Sequence, residues 1–339
     1  MFELIKQLSE ARGVSGDEGE VRELIRGLME PRCDRVWTDR MGNLICYKKG
    51  RDGSKRILVD THMDEVGLIV SYVTGDGLLK FQTVGGVDPR VLIGRKVRVG
   101  ERIGVISTKA VHLTTEEERK TAPDEQQLFI DIGAQSREEA LKEISLGQTA
   151  SFFTVCERFG EGLVKGKALD NRIGCAAAIR SAEHIPFYDT YYVFAVQEEV
   201  GLRGAYAGAY GIRPDLAVVA DVTTAADLPG VPEHRRACRL GEGAVLIFME
   251  GSTLYPSGSY DKLKRCAEKN GIRFQEKELV AGGVDAGAIQ RQPGGVEVLT
   301  VELACRYLHS PAGVASLADA EEMEKLLCAL LADPSLLER

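Results

Sequence analysis

Three short, almost unbroken apolar runs constrain this chain more than any other feature: Arg56-Ile-Leu-Val-Asp60, Tyr191-Tyr-Val-Phe-Ala-Val-Gln197 and Asp215-Leu-Ala-Val-Val-Ala-Asp221. A strand with one wet face alternates apolar and polar residues. A run without alternation has apolar neighbours on both faces, as in a sheet covered by helices on each side. Helical spacing predicts helices over 173–184, 257–270 and 317–331, between and after these runs. Near the start, Ser15 and Glu18 read as a capping box opening an amphipathic helix over 15–30, with Val21, Leu24, Ile25 and Leu28 on one stripe. Strand and helix alternate, which predicts an α/β fold with a doubly wound sheet.

The segment from Leu68 to Glu161 breaks this rhythm. It is rich in Val, Gly and Thr, with candidate strands Leu79 to Thr83, Lys96 to Val99 and Gly104 to Ser107. The sequence therefore predicts a main domain from 1–67 and 162–339, interrupted by a β-rich insertion over 68–161. A length of 339 residues suits two domains.

Charge and composition narrow the function classes. With 43 basic and 51 acidic residues the net charge is −8, and no long basic run occurs, so nucleic acid is not an expected partner. No apolar stretch reaches the ~18 residues of a membrane span, and Met1 to Gly13 lacks the basic-then-apolar order of a secretory signal. The expectation is a cytoplasmic protein with no membrane partner. Eight cysteines stand singly with no CxxC pair, as reduced, mostly buried thiols would.

The chemistry-bearing residues cluster where apolar runs end. His62 and Asp64 are two apart on extended backbone, so their side chains share a face, and a carboxylate there can hold the second nitrogen of a metal-bound imidazole. Asp170, Glu198-Glu199, Asp221 and His309 lie near the ends of other runs, where open α/β sheets build their sites. Taken singly, each has an ordinary use: Asp170 and Asp221 as caps, Glu198-Glu199 as a solvated loop, His309 as a surface histidine. Together they supply two imidazoles and several carboxylates, the donors of a zinc- or cobalt-type centre.

In order, VDTHMDEVGLIV, KALDNRIGC, VQEEVGLRGA, VADVT, GGVDAGAI and CRYLHS resemble the motif series of the glutamyl aminopeptidase family of cocatalytic metallopeptidases, which includes tetrahedral and deblocking aminopeptidases. Some members carry an endoglucanase label. The similarity spans nearly the whole chain, including VLIGRKVRV, KAVHLTTEEERK and FIDIGAQS in the insertion. It implies a phosphorylase/hydrolase-like α/β/α sandwich with a small β-barrel-like insertion that serves dimerisation. It also implies two divalent ions, zinc or cobalt, and assembly with further copies of the chain into a dodecamer. His62 and Asp221 would be terminal ligands of one ion, Glu199 and His309 of the other, and Asp170 the bridge. Asp64 would hold the His62 ring, and Glu198 would be the general base. Neighbouring Glu198 and Glu199 point in different directions, which allows different roles.

The implied activity is removal of the N-terminal residue of short peptides through a metal-activated water. Alternatives are a dimetal carboxypeptidase, an amide deacylase, or an assembly protein without catalysis. Glycoside hydrolysis fits less well, because it leaves the histidines without a metal. Asn171, Val284 and Ala304 stand where the family pattern commonly has Asp, Thr and Pro. Asp285 is a candidate for the substrate amine, and His112, whose family segment lies at a subunit interface, for contact with a neighbouring site. His184 and His234 read as structural, and Arg172 and Arg306 as partners of carboxylates or substrate carbonyls.

Overall fold

The computed structural model describes residues 1–338. Its larger sheet has eleven strands, numbered in chain order. The main path runs β1 (Arg35–Thr38), β2 (Leu44–Lys48), β12 (Tyr188–Ala195), β3 (Asp52–His62), β13 (Leu216–Thr224), β16 (Glu297–Arg306), β17 (Gly313–Ser316), β11 (Leu163–Gly166) and β10 (Glu157–Phe159). Off this path, β14 (Ala244–Leu246) pairs with β16 and with β15 (Phe274–Glu276). The centre, β12-β3-β13-β16, is parallel, and its flanks are antiparallel.

The apolar runs occupy that parallel centre, and alternation along each strand divides their side chains between two cores. Ile57, Val59, Val218, Ala220, Leu299, Val301 and Leu303 face α1 (Phe2–Glu10), α2 (Gly19–Met29), α4 (Leu169–Ser181), α6 (Ser257–Lys269) and α8 (Leu317–Ala332). Leu58, Ala217, Val219, Val298 and Ala304 face α5 (Arg203–Ile212) and α7 (Ala286–Gln290). Each fully buried aliphatic side chain contributes about 1.5–3 kcal/mol relative to exposure. The same alternation puts Asp60, His62, Asp221 and Glu302 on the second face, the one with the thinner helical cover. Register sets them side by side, with Val219 opposite Asp60 and Asp221 opposite Glu302.

The insertion is a closed six-stranded barrel in the order β4 (Gly67–Val73), β5 (Leu79–Val84), β8 (Phe129–Asp131), β7 (Arg102–Ser107), β6 (Lys96–Val99) and β9 (Thr149–Phe152). Leu68, Val70, Phe81, Val97, Ile106, Ile130 and Phe152 fill it. One helix, α3 (Arg137–Glu143), starts on a Ser136 cap. The last barrel strand ends at Phe152, and β10 belongs to the large sheet. Chain return thus precedes the 161 boundary drawn from composition, which does not distinguish a short edge hairpin from barrel sequence.

One local expectation is corrected, and one helix start is refined. Ser15 does not cap α2: its hydroxyl donates to Asp64 Oδ2 at 2.6 Å, and Glu18 accepts from the Gly16 N–H. The fourth helix begins at Leu169, with Asp170 and Asn171 in non-helical conformations before regular helix sets in.

Candidate metal centre

The ends of β3 and β13 and three loops, after β11, β12 and β16, converge on one cavity, lined by His62, Asp170, Glu198, Glu199, Asp221 and His309 among others. Five of the seven non-glycine residues with positive φ lie in these loops: Ala168, Gln197, Leu202, Tyr307 and His309. Backbone strain of this kind persists where surrounding contacts over-determine a functional geometry.

The sequence-derived ligands gather as two overlapping triads, His62–Asp170–Asp221 and Asp170–Glu199–His309, in each of which the donor atoms lie within 4.8 Å of one another. Asp170 belongs to both. Its Oδ1 is 3.2 Å from His62 Nε2, and its Oδ2 is 3.8 Å from His309 Nε2. Asp221 Oδ1 stands 3.6 Å from His62 Nε2, and Glu199 Oε2 is 3.1 Å from His309 Nε2.

Each ring turns Nε2 inward and Nδ1 toward an acceptor. His62 Nδ1 faces Asp64 Oδ1 at 3.5 Å, an ion-pair distance longer than a good hydrogen bond. His309 Nδ1 donates to the Gly86 carbonyl at 3.0 Å. Such outer partners fix the tautomer and orientation of a metal-binding imidazole. Asp64 has a wider role. It is fully buried and accepts from Ser15 Oγ and from the backbone N–H groups of Glu198 and Glu199, at 3.0 and 3.2 Å. Burial opposes its charge, yet these donors and His62 hold its carboxyl below the usual range. One carboxylate thus orients the first histidine and the turn bearing both glutamates.

Glu198 Oε2 lies 3.9 Å from His62 Nε2, so Glu198 faces the centre from outside both triads. Burial, partly offset by His62 and reinforced by neighbouring acids, raises its pKa well above an ordinary glutamate. Burial likewise lifts Glu199, and takes Asp221 to about 6. Five carboxylates, those of Asp170, Glu198, Glu199, Asp221 and Glu302, therefore line a cavity that has no Lys or Arg, and the buried Glu199 Oε1 has no hydrogen-bond partner. Cations at the two triads would satisfy these oxygens, and the imidazole and carboxylate donors fit them.

Asn171 explains one departure from the family pattern. Its amide donates to Thr61 Oγ1 and the Ala220 carbonyl, and its oxygen accepts from the Gly174 N–H, a set an aspartate could not complete. Gly174 is required there, since a Cβ would lie 2.2 Å from Asn171 Oδ1. Behind Asp170, Lys167 and Arg172 close on buried Glu65, and Arg172 Nη1 donates to the Leu8 and Ala11 carbonyls. Arg306 instead pairs with Asp227.

Other expected residues stand apart. Asp285 is 1% exposed and off the cavity wall, and neither its oxygens nor those of buried Asp60 have a hydrogen-bond partner. His112 is exposed on a barrel turn, away from its own chain's cavity. His184 and His234 are exposed. Residues missed in the sequence are Ser15, Gly86, Asp60 and the trio Glu250, Lys277 and Glu302. For Asp60 and Glu302 a signal existed: each is a lone acid inside an apolar strand.

Comparison with known proteins identifies the family. The model of the M42 glutamyl aminopeptidase family matches residues 42–326. The lysyl aminopeptidase of Pyrococcus furiosus is 33% identical over 351 residues, covering 97% of this chain and 96% of its own. An aminopeptidase from the archaeon Desulfurococcus kamchatkensis superposes with a TM-score of 0.94 at 35% identity, over 99% of this chain and 96% of that one. A structure of the TET1 peptidase of Pyrococcus horikoshii, described as assembling into a tetrahedron or a large octahedral shell, gives 0.87 at 33% identity, over 98% and 99%. The chain belongs to the M42 glutamyl aminopeptidase family and is a metal-dependent aminopeptidase.

Proposed function

We propose that this chain removes single residues from the free N-terminus of short peptides with two divalent ions, zinc or cobalt by donor type, held by His62, Asp170, Glu199, Asp221 and His309. The observation that carries this reading is Asp170, whose two oxygens face two separate histidines. When bound, the ion pair supplies Lewis-acid polarisation of the scissile carbonyl and lowers the pKa of water.

The chain's own residues do the rest. Glu198, buried and held by its N–H on Asp64, takes the proton of the attacking water at Oε2 and returns it to the leaving nitrogen. Asp64 is a positioning residue for His62 and for the Glu198-Glu199 turn.

The chain acts in the cytoplasm as a homo-oligomer, a twelve-subunit tetrahedral particle built through the barrel like the shells of its relatives. In that particle His112 meets a neighbouring copy's site. No described helix is long and apolar enough to cross a membrane.

The deciding experiment compares one short peptide with a free and an acetylated N-terminus at equal metal loading. Only the free form should be cut. Equal cleavage of both, or release from the carboxyl end, moves the assignment to a deacylase or carboxypeptidase while leaving the metal sites intact. Light scattering at micromolar concentration checks the assembly, and a monomer would withdraw it together with the role of His112.

A further inference from the structure

We propose that Asn43 is a positioning residue for the reaction: it ties together the two ends of the loop that carries Glu198 and Glu199, and so fixes where the general base stands. This rests on the aminopeptidase reading above and deepens it, through a residue that is outside both triads and off the cavity wall.

Strand β12 ends at Ala195 and α5 starts at Arg203, and the loop between them bears both glutamates. Its neck is narrow. The Gly204 N–H donates to the Val196 carbonyl at 2.9 Å, and the Arg203 N–H to the Gln197 carbonyl at 3.2 Å. Asn43 closes this neck from outside. Its Oδ1 accepts from the Val196 N–H at 3.0 Å, and its Nδ2 donates to the Gly204 carbonyl at 2.8 Å. One amide side chain thus spans the point where the loop leaves the sheet and the point where it enters the helix. Asn43 immediately precedes β2, whose first residue, Leu44, is paired with Phe194. The side chain takes over where the backbone ladder between β2 and β12 stops.

The amide is itself held. Asn43 is 0% exposed, and its Nδ2 also donates to Asp39 Oδ2 at 2.8 Å. Asp39 Oδ1 in turn accepts from the N–H groups of Met41, Gly42 and Asn43 at 2.9, 3.0 and 3.0 Å. Both hydrogens of the amide are therefore used, and its oxygen can only face Val196. An aspartate of the same shape could accept from Val196 but could donate to neither Gly204 nor Asp39.

The neck is also where the loop is under constraint. Gln197 and Leu202, just inside the two tied ends, have left-handed backbones at φ 57° and 58°. Side-chain-bearing residues stay in that region where surrounding contacts over-determine it. Gly204 admits no side chain, since a Cβ would lie 2.3 Å from Asn43 Oδ1 and 2.4 Å from the Val196 carbonyl oxygen. Asp64 anchors the middle of the loop through the N–H groups of Glu198 and Glu199, and Asn43 anchors its ends. A general base works within about 2.6–3.2 Å of its proton, and a displacement of about 1 Å can cost about 10²-fold. A loosened neck therefore reaches the chemistry through Glu198.

The test uses the metal-reconstituted full chain and the best-cleaved of a panel of aminoacyl p-nitroanilides. Asp39→Asn combined with Asn43→Asp exchanges the pair: it keeps the contact between positions 39 and 43 and the acceptor for Val196, and removes the donor to Gly204. Gly204→Ala opens the same neck without altering Asn43. Each should lower kcat by about tenfold or more, with KM within about twofold and bound metal unchanged. The decisive readout, which a merely structural role would not give, is a double-variant cycle. Added to Glu198→Gln, neither change should lower kcat by more than about a further twofold, because the group it positions is gone. Unchanged kcat in both, losses that multiply with that of Glu198→Gln, or metal lost in step with activity overturns the proposal and leaves the aminopeptidase reading standing. Failure of both to fold makes the contact structural alone and also overturns it. No cleavage of any aminoacyl substrate by the unaltered chain overturns both.

Discussion

His62 closes a central strand of the large sheet, its side chain only 2% exposed, with Asp64 two residues away and Asp221 on the neighbouring strand. His309 has the same donor chemistry but a 38% exposed side chain, a left-handed backbone on a loop after β16, and a barrel carbonyl as its outer partner. Apart from the shared Asp170, one half of the centre is thus built within the large sheet. The other is assembled across two domains and depends on how the barrel is seated. Donor type is shared, so differences in metal affinity and exchange between the halves must come from this support.

The most damaging way to probe the comparison is to remove what the halves share. Asp170→Ala should empty both sites and abolish hydrolysis, as elemental analysis beside activity would report. If one ion survives at full occupancy, Asp170 is not the bridge. Next in size is Glu198→Gln, which should lower kcat by about 10²–10⁴. Both ions should remain in that variant, separating proton transfer from metal binding. Bound metal falling with activity would make Glu198 a ligand.

The halves themselves should part under chelation. Stepwise metal removal, followed by metal content and refilling with cobalt, should empty the Glu199–His309 half first. Simultaneous loss from both would break the contrast. Asp64→Asn should weaken the His62 half by about 10–100-fold, the usual cost of losing an outer carboxylate. Its effect should spread to the Glu198-Glu199 turn, whose N–H groups it anchors.

Gly86→Ala is the smallest change and the most specific. Its Cβ would come 3.2 Å from His309 Nδ1, close enough to shift the ring by a few tenths of an ångström. A loss of up to about tenfold in affinity should appear at the His309 half alone. An equal effect on both halves would show that the barrel supports the whole centre.

The same asymmetry governs what the sequence discloses. The His62 half is legible because strand periodicity is local: an apolar run ending in His-x-Asp fixes side-chain direction without further knowledge. The ligand set and the parallel core follow from such runs and the familial motifs. Gly86 is not legible, being a backbone carbonyl 223 residues from the imidazole it holds, and a carbonyl leaves no residue-type signature. Ser15 misleads for a related reason. Its spacing to Glu18 satisfies a capping pattern, but a buried carboxylate 49 residues away competes for the same hydroxyl and wins. Asp285 lies deeper than its motif suggests, because a motif gives sequence neighbours and says nothing of depth. Asp60 and Glu302 carried a usable sign, a charge in the middle of a buried strand, which periodicity alone marks as an anomaly without assigning a partner.

The order of the ligands along the chain gives the centre a history. His62, Asp170 and Asp221 have all been synthesised by residue 221, while His309 follows 309 − 221 = 88 residues later. At about 5–20 residues per second, that interval lasts roughly 4–18 s. During it a nascent chain carries every donor of the first triad and, in Glu199, one of the second, with Asp170 not yet shared. Over that interval the chain also lacks β16, the strand that pairs along the whole of β13 beside Asp221, so the first triad has its donors before it has its full support. Arrested chains ending before His309 should retain at most one ion per chain.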